Sequence, residues 1–164
     1  MLSQSARATT PEEARFRVDY PNSTPRRIKI IALDRPAERV VRRLARGSWN
    51  AASFMTAVRN EGAPASGDWL GNLAGEALNL LAEISAADLV VTVSTAGESA
   101  EDAAIIAEVC NARAIMLTAL VIDPNALPDA QLLRTVTPLR AHAAMLVVAK
   151  GEEYVDAMLT ALRA

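Results

Sequence analysis

Five short runs of aliphatic residues recur along the chain: Ile28–Leu33, Ala52–Val58, Leu89–Val93, Ala114–Ile122 and Ala144–Ala149. Runs this short and this apolar suit strands buried on both faces of a parallel sheet. Between them the apolar residues change period. Asp34-Arg35-Pro36 opens a helical pattern, with Pro36 in the first turn, where its missing N–H does no harm, and Gly47 at the end. Leu70–Ile84 repeats Leu73, Ala77, Leu80, Leu81 and Ile84 at helical spacing and predicts a second helix. Ala100–Ala112, Asp129–Ala141 and Glu152–Leu162 predict three more, the last with Val155, Met158, Leu159 and Leu162 on one face. Glu61–Asp68 holds two Gly and one Pro and reads as a loop. Residues 1–27 are rich in Ser, Thr, Pro and Arg and poor in aliphatics. They are expected to form a flexible N-terminal arm ahead of a single α/β domain at 28–164.

Strands alternating with helices predict a three-layer, doubly wound, Rossmann-like α/β domain with a mostly parallel five-stranded sheet. In such sheets ligands bind beyond the carboxyl ends of the strands. That rule points to Leu33–Pro36, Ser94–Ser99 and Ile122–Asn125.

Composition narrows the chemistry. The 164 residues include one cysteine and one histidine, so an internal disulfide and a His/Cys metal site are both excluded. Cys110 lies in a helical apolar pattern and reads as a buried, inert thiol. His142 reads as a lone histidine just before the last strand. No metal and no cofactor are expected. Aromatic residues are only 4% of the chain, which argues against base-stacking platforms and specific nucleic-acid binding. Trp49 and Trp69, on either side of the second strand and its loop, read as partly buried anchors. No apolar run approaches the roughly 18 residues of a membrane span. No signal-peptide core opens the chain either, so a cytoplasmic protein without membrane contact is expected.

The net charge of −2 hides an asymmetry: residues 1–50 carry 11 of the 17 basic side chains against 5 acids, and the remainder carries 6 against 14. Arg35, Arg39, Arg42, Arg43 and Arg46 recur at intervals that place them on one face of the first helix, with Ala37, Val40, Val41 and Leu44 on the other. A solvated helix face is the plain reading. The functional readings are an anion or nucleic-acid contact, or docking to an acidic partner surface, which the acidic remainder of a second copy would supply in a homo-oligomer.

The richest stretch is Ser94-Thr95-Ala96-Gly97-Glu98-Ser99, where an apolar strand feeds a hydroxyl-rich turn and then a helix. Ser99 is expected as the N-cap of that helix, with Asp102 completing a capping box. The same geometry would offer amide N–H groups, the helix dipole and the hydroxyls of Ser94, Thr95 and Ser99 to a small anionic ligand, with Gly97 in the turn. Glu98, Glu101 and Asp102 crowd three carboxylates at the same helix start and oppose a phosphate there. Glu98 is the one carboxylate of the turn suited to acid/base work.

The segment Asp88–Ser99 resembles the central strand and loop of sugar isomerase (SIS) domains, in which a Ser-x-Ser-Gly-Glu-Thr-like loop holds a sugar phosphate. Here Ala96 stands for the second Ser and Ser99 for the Thr, and Ile115-Met116-Leu117-Thr118 resembles the family's following strand. The family's first loop, Gly-x-Gly-x-Ser, is replaced by Leu33-Asp34-Arg35-Pro36-Ala37. Asp88–Gly97 with Ala103–Val109, and Ile28–Leu33 with Val40–Leu44, are also similar to the core of the tubulin/FtsZ nucleotide-binding fold. That family's Gly-Gly-Gly-Thr-Gly-Thr-Gly loop is missing, so GTP hydrolysis is not implied. The two resemblances imply a Rossmann-like domain, and the hydroxyl-rich turn points to a small anion such as a phospho-sugar or nucleotide at Ser94, Thr95, Gly97 and Ser99. A ligand-binding or regulatory role is expected ahead of catalysis. The alternatives are an isomerase-like enzyme on a phosphorylated sugar, using Glu98, and an oligomeric docking module without a ligand.

Overall fold

The computed structural model describes residues 25–59, 69–162 and 164. Residues 1–24 of the expected arm at 1–27 and the whole Glu61–Asp68 loop lie outside them. All five apolar runs become strands: β1 (Ile28–Ala32), β2 (Ala52–Thr56), β5 (Leu89–Thr95), β6 (Met116–Ile122) and β7 (Met145–Ala149). They are parallel to one another, in the order β2-β1-β5-β6-β7. Helices α1 (Arg35–Leu44), α3 (Ala103–Ala112), α4 (Asp129–Arg140) and α5 (Glu153–Ala161) fall where helical spacing places them.

The segment read as a helix at Leu70–Ile84 is a correction. It forms an antiparallel hairpin, β3 (Trp69–Asn72) and β4 (Ala77–Asn79), and only then one short helix, α2 (Leu80–Ser85). The hairpin extends the sheet to seven strands, in the order β4-β3-β2-β1-β5-β6-β7, in place of the expected five. The turn explains the change. Asn72 Oδ1 accepts from the Ala74 and Glu76 N–H groups at 3.0 and 2.9 Å. Gly75 sits at φ +92°, in the left-handed region that side chains avoid. Asn79 then caps α2 by accepting from Ala82 N–H at 2.8 Å.

Alternate residues of the strands feed two apolar clusters. Ile31, Val90, Leu117, Ala119 and Val121 pack with Ile84 of α2, Ile106 and Cys110 of α3, and Val136 and Leu139 of α4. Ile28, Ile30, Val91, Val93, Leu120 and Ile122 pack with Val40 and Val41 of α1 and Val155 and Leu159 of α5. The runs of β1, β5 and β6 are apolar at most positions because both sets are buried. A two-pronged ion pair fastens the start of the central strands: Arg27 donates to Asp88 through Nε, Nη2 and its backbone N–H at 2.8–3.1 Å, and Asp88 N–H donates back to Arg27 O at 2.8 Å. Among the described residues, no helix is long and apolar enough to cross a membrane.

Candidate functional site

Strand order reverses between β1 and β5, because the chain leaves β1 for β2 on one side and returns to β5 on the other. The loops at their carboxyl ends therefore separate, and a crevice opens there. A cavity of about 620 Å³ lies at this point, with Asp34, Arg35, Arg59, Glu98, Ser99 and Glu101 among its lining residues. It is the place indicated by Leu33–Pro36 and Ser94–Ser99, joined by a third segment, Ala57–Arg59, that the sequence did not single out.

Asp34 organises the crevice. It is the N-cap of α1, and its Oδ1 accepts from Ala37 N–H at 2.8 Å. Its two oxygens also accept from Thr95 N–H at 2.6 Å and Thr95 Oγ1 at 3.0 Å. The side chain is 7% exposed. Burial pushes its pKa above the ordinary carboxylate value, against the pull of these hydrogen bonds. Pro36 at the helix start has no N–H to offer. The N-terminus of α1 is thus filled by the chain's own carboxylate, in the position where many α/β folds hold a ligand phosphate.

The turn after β5 is also largely self-satisfied. Ala96 N–H donates to Ile122 O, Glu98 N–H to Thr95 O, and Gly97 N–H to Thr135 Oγ1 at 2.9 Å. Thr135, fully buried on α4, donates a hydrogen bond from its own hydroxyl to Glu98 O at 2.7 Å. Gly97 takes φ +91°, and an added Cβ would lie 3.2 Å from Leu127 Cδ1. Ser94 is buried, and its Oγ has no partner among the described residues. Of the four expected ligand residues, Ser94 and Thr95 therefore face inward, Gly97 shapes the turn, and Ser99 is exposed at the crevice.

The expected capping box is a second correction. The N-cap of α3 is Asp102, without a side-chain capping bond, and the helix begins at Ala103. Residues 101–102 form a turn instead, and Ala103 and Ala104 bond back to Ala100 and Glu101. Glu98, Ser99 and Glu101 consequently form a ridge between two cavities, and Asp102 lines the larger. The large cavity lies on one side, and on the other is a smaller one of about 200 Å³ lined by Gly97, Arg134 and Pro138.

The arginine row divides in three dimensions. Arg35 lines the crevice, Arg39 and Arg46 are exposed, and the other two are engaged within the chain. Arg42 donates to Glu38 and to Leu73 O, and Arg43 pairs with Glu152 at the start of α5. Cys110 is buried, which pushes its thiol up to about 11. Trp49 donates to Leu44 O at 2.7 Å and stacks at a tilt on Phe54, 6.0 Å between centroids. Trp69 opens β3. Among the described residues no cluster of three or more His, Cys, Asp or Glu is arranged to hold a metal ion.

Sequence reasoning missed Arg59, Thr135 and the tie from Asp34 to Thr95. The helix-start pattern at Asp34 was the only signal available for any of them.

No protein-family profile matches the sequence, and comparison with curated proteins returns no match. Among solved structures, the chain is similar to translation elongation factor SelB from Methanococcus maripaludis, solved in complex with the GTP analogue GPPNHP. The superposition gives a TM-score of 0.54 and 8% identity, and it covers 87% of this chain but 34% of the other. The chain thus spans about a third of that protein's length, and at this identity the likeness is one of fold.

Proposed function

We propose that this protein is a small-ligand-binding or regulatory domain with doubly wound, Rossmann-like layering, and that its ligand sits in the crevice between the β1 and β5 loops. The observation that carries this reading is the cavity of about 620 Å³ at the point where strand order reverses. Its lining combines guanidinium groups (Arg35, Arg59) with a hydroxyl and carboxylates (Ser99, Glu98, Glu101, Asp102). Guanidinium suits a phosphate or carboxylate, and carboxylates accept hydrogen bonds from sugar hydroxyls. A phosphorylated sugar or polyol presents both kinds of group, in keeping with the resemblance of Asp88–Ser99 to SIS domains.

A nucleotide is the weaker candidate, although the structurally similar SelB binds a GTP analogue. Asp34 occupies the helix terminus where a phosphate would sit, and the amides of Ala96, Gly97 and Glu98 are already bonded.

Thermal shift with a panel of sugar phosphates, polyol phosphates and nucleotides tests the reading. A ligand at 100 times its Kd adds about 2.7 kcal/mol of stability, which corresponds to roughly 5–10 °C in Tm for a domain of this size. Arg35→Ala should abolish the shift and Ser99→Ala weaken it, while Arg134→Ala, across the ridge, leaves it intact. No shift with any phosphorylated compound, or loss through Arg134→Ala alone, sinks the proposal.

A further inference from the structure

β7 ends the sheet. Among the described residues it pairs only with β6, and all five of its residues are apolar. The opposite margin is built differently: β4 has three residues and runs straight into α2. Shortness, charge and proline are common ways to blunt an edge strand. β7 carries neither charge nor proline, and its Met145 and Val148 are 43% and 42% exposed.

Over this edge α4 carries a row that is apolar between charged ends, with Leu133 exposed, Leu132 half-buried and Val136 buried. Asp129, Leu132, Leu133, Val136 and Arg140 line a groove of about 270 Å³ together with Leu146 and Val148 of β7. Their spacing of three and four residues puts them on one helix face, and Leu133 is 46% exposed. The row begins with an acid and ends with a base, about 16 Å apart along the helix.

We propose that this edge is a two-fold interface between two copies of the chain, with β7 pairing antiparallel to β7 of the second copy. The ends of the row determine the occupant. A two-fold axis perpendicular to the sheet keeps both α4 helices on the same face and reverses their directions. Asp129 of each copy then lies toward Arg140 of the other, and the exposed Leu133 of each copy faces the middle of the other's row. A parallel arrangement would set Asp129 beside Asp129 and Arg140 beside Arg140. Centred on Val147, the new ladder places Leu146 opposite Val148 of the second copy and Met145 opposite Ala149. The seven-stranded sheet doubles without interruption, and no residue lining the β1–β5 crevice is covered.

Sedimentation equilibrium on the full chain tests this, using wild type, Val148→Lys, Asp129→Arg, Arg140→Asp and the double reversal Asp129→Arg/Arg140→Asp. The wild type should dimerise reversibly. Val148→Lys, which puts a charge on an already exposed edge position, should be monomeric with an unchanged far-UV spectrum. Each single reversal turns two attractions into two repulsions and should weaken the dimer about ten-fold or more. The double reversal restores both pairs with their signs exchanged and should recover most of the loss. A wild type that stays monomeric at every concentration overturns the proposal. So does indifference to Val148→Lys, which assigns the edge to another occupant, or a double reversal no better than its single parents.

Discussion

Asp34 shows how much one residue can decide. It caps α1 three residues along and holds Thr95 across 61 residues of sequence, all from one carboxylate that is 7% exposed. Replacing it with Ala removes a helix cap, worth about 1 kcal/mol. It also strands the Thr95 donors in a partly buried place, at roughly 1–3 kcal/mol. The expected loss is about 2–4 kcal/mol, read as a lower urea midpoint with an unchanged slope; a loss under about 1 kcal/mol would show that the two bonds to Thr95 contribute little. The Asp-x-Pro pattern made the cap legible in the sequence. The bond to Thr95 was not, because it exists only once β1 and β5 lie side by side. Ser99 failed in the opposite way: it has the chemistry of an N-cap, but the turn at 101–102 starts the helix after it.

Elements behaved according to how much of their stability is local. The central parallel strands were legible because burial on both faces favours a nearly continuous apolar run, and Leu89–Val93, interrupted only by Thr92, supplies one. Leu70–Ile84 was misread because its apolar residues also fit a helical period, while Asn72 and Gly75 set a turn that the period does not record. The end of α3 offers a sharp test. Ile115 N–H donates to Cys110 O and Ala114 N–H to Asn111 O, closing the helix with Ala114 at φ +55°. This closing motif ordinarily places glycine there, because a Cβ in the left-handed region costs roughly 1–2 kcal/mol. Ala114→Gly should therefore stabilise the protein by about 1 kcal/mol, seen as a higher Tm, even though it removes a methyl group. A lower Tm would mean that the Ala114 side chain packs more than its backbone strains.

At the scale of the whole molecule, acid reports on how the central strands are fastened. The Arg27 guanidinium and backbone hold the Asp88 carboxyl down to about 2, below the ordinary 3.8. A folded-state pKa that is depressed contributes stability above the ordinary value, and this contribution is lost as pH falls from about 4 toward 2. Asp34, shifted up by burial, has the opposite sign: protonation favours its folded form as pH drops through the raised value toward 3.8. Asp88→Asn should therefore lower the urea midpoint at pH 7 but flatten its decline between pH 4 and 2. An equal deficit at pH 7 and pH 2 would show that the pair does not fasten β1 to β5. The paired edge at β7 belongs to this scale as well, since a dimer makes stability depend on protein concentration.

By itself, the sequence determined which segments are the five parallel strands, where four of the five helices lie, and that the chain builds an α/β sheet. It also pointed to two of the three segments that line the crevice. These follow from local rules, since burial and helical period are written in neighbouring residues. Tertiary structure alone decided the order β4-β3-β2-β1-β5-β6-β7, the tie of Asp34 to Thr95, the inward turn of Ser94 and the arrival of Arg59 at the crevice. Each of these depends on segments far apart in sequence meeting in space, and the free energy that selects such meetings comes from packing the whole core.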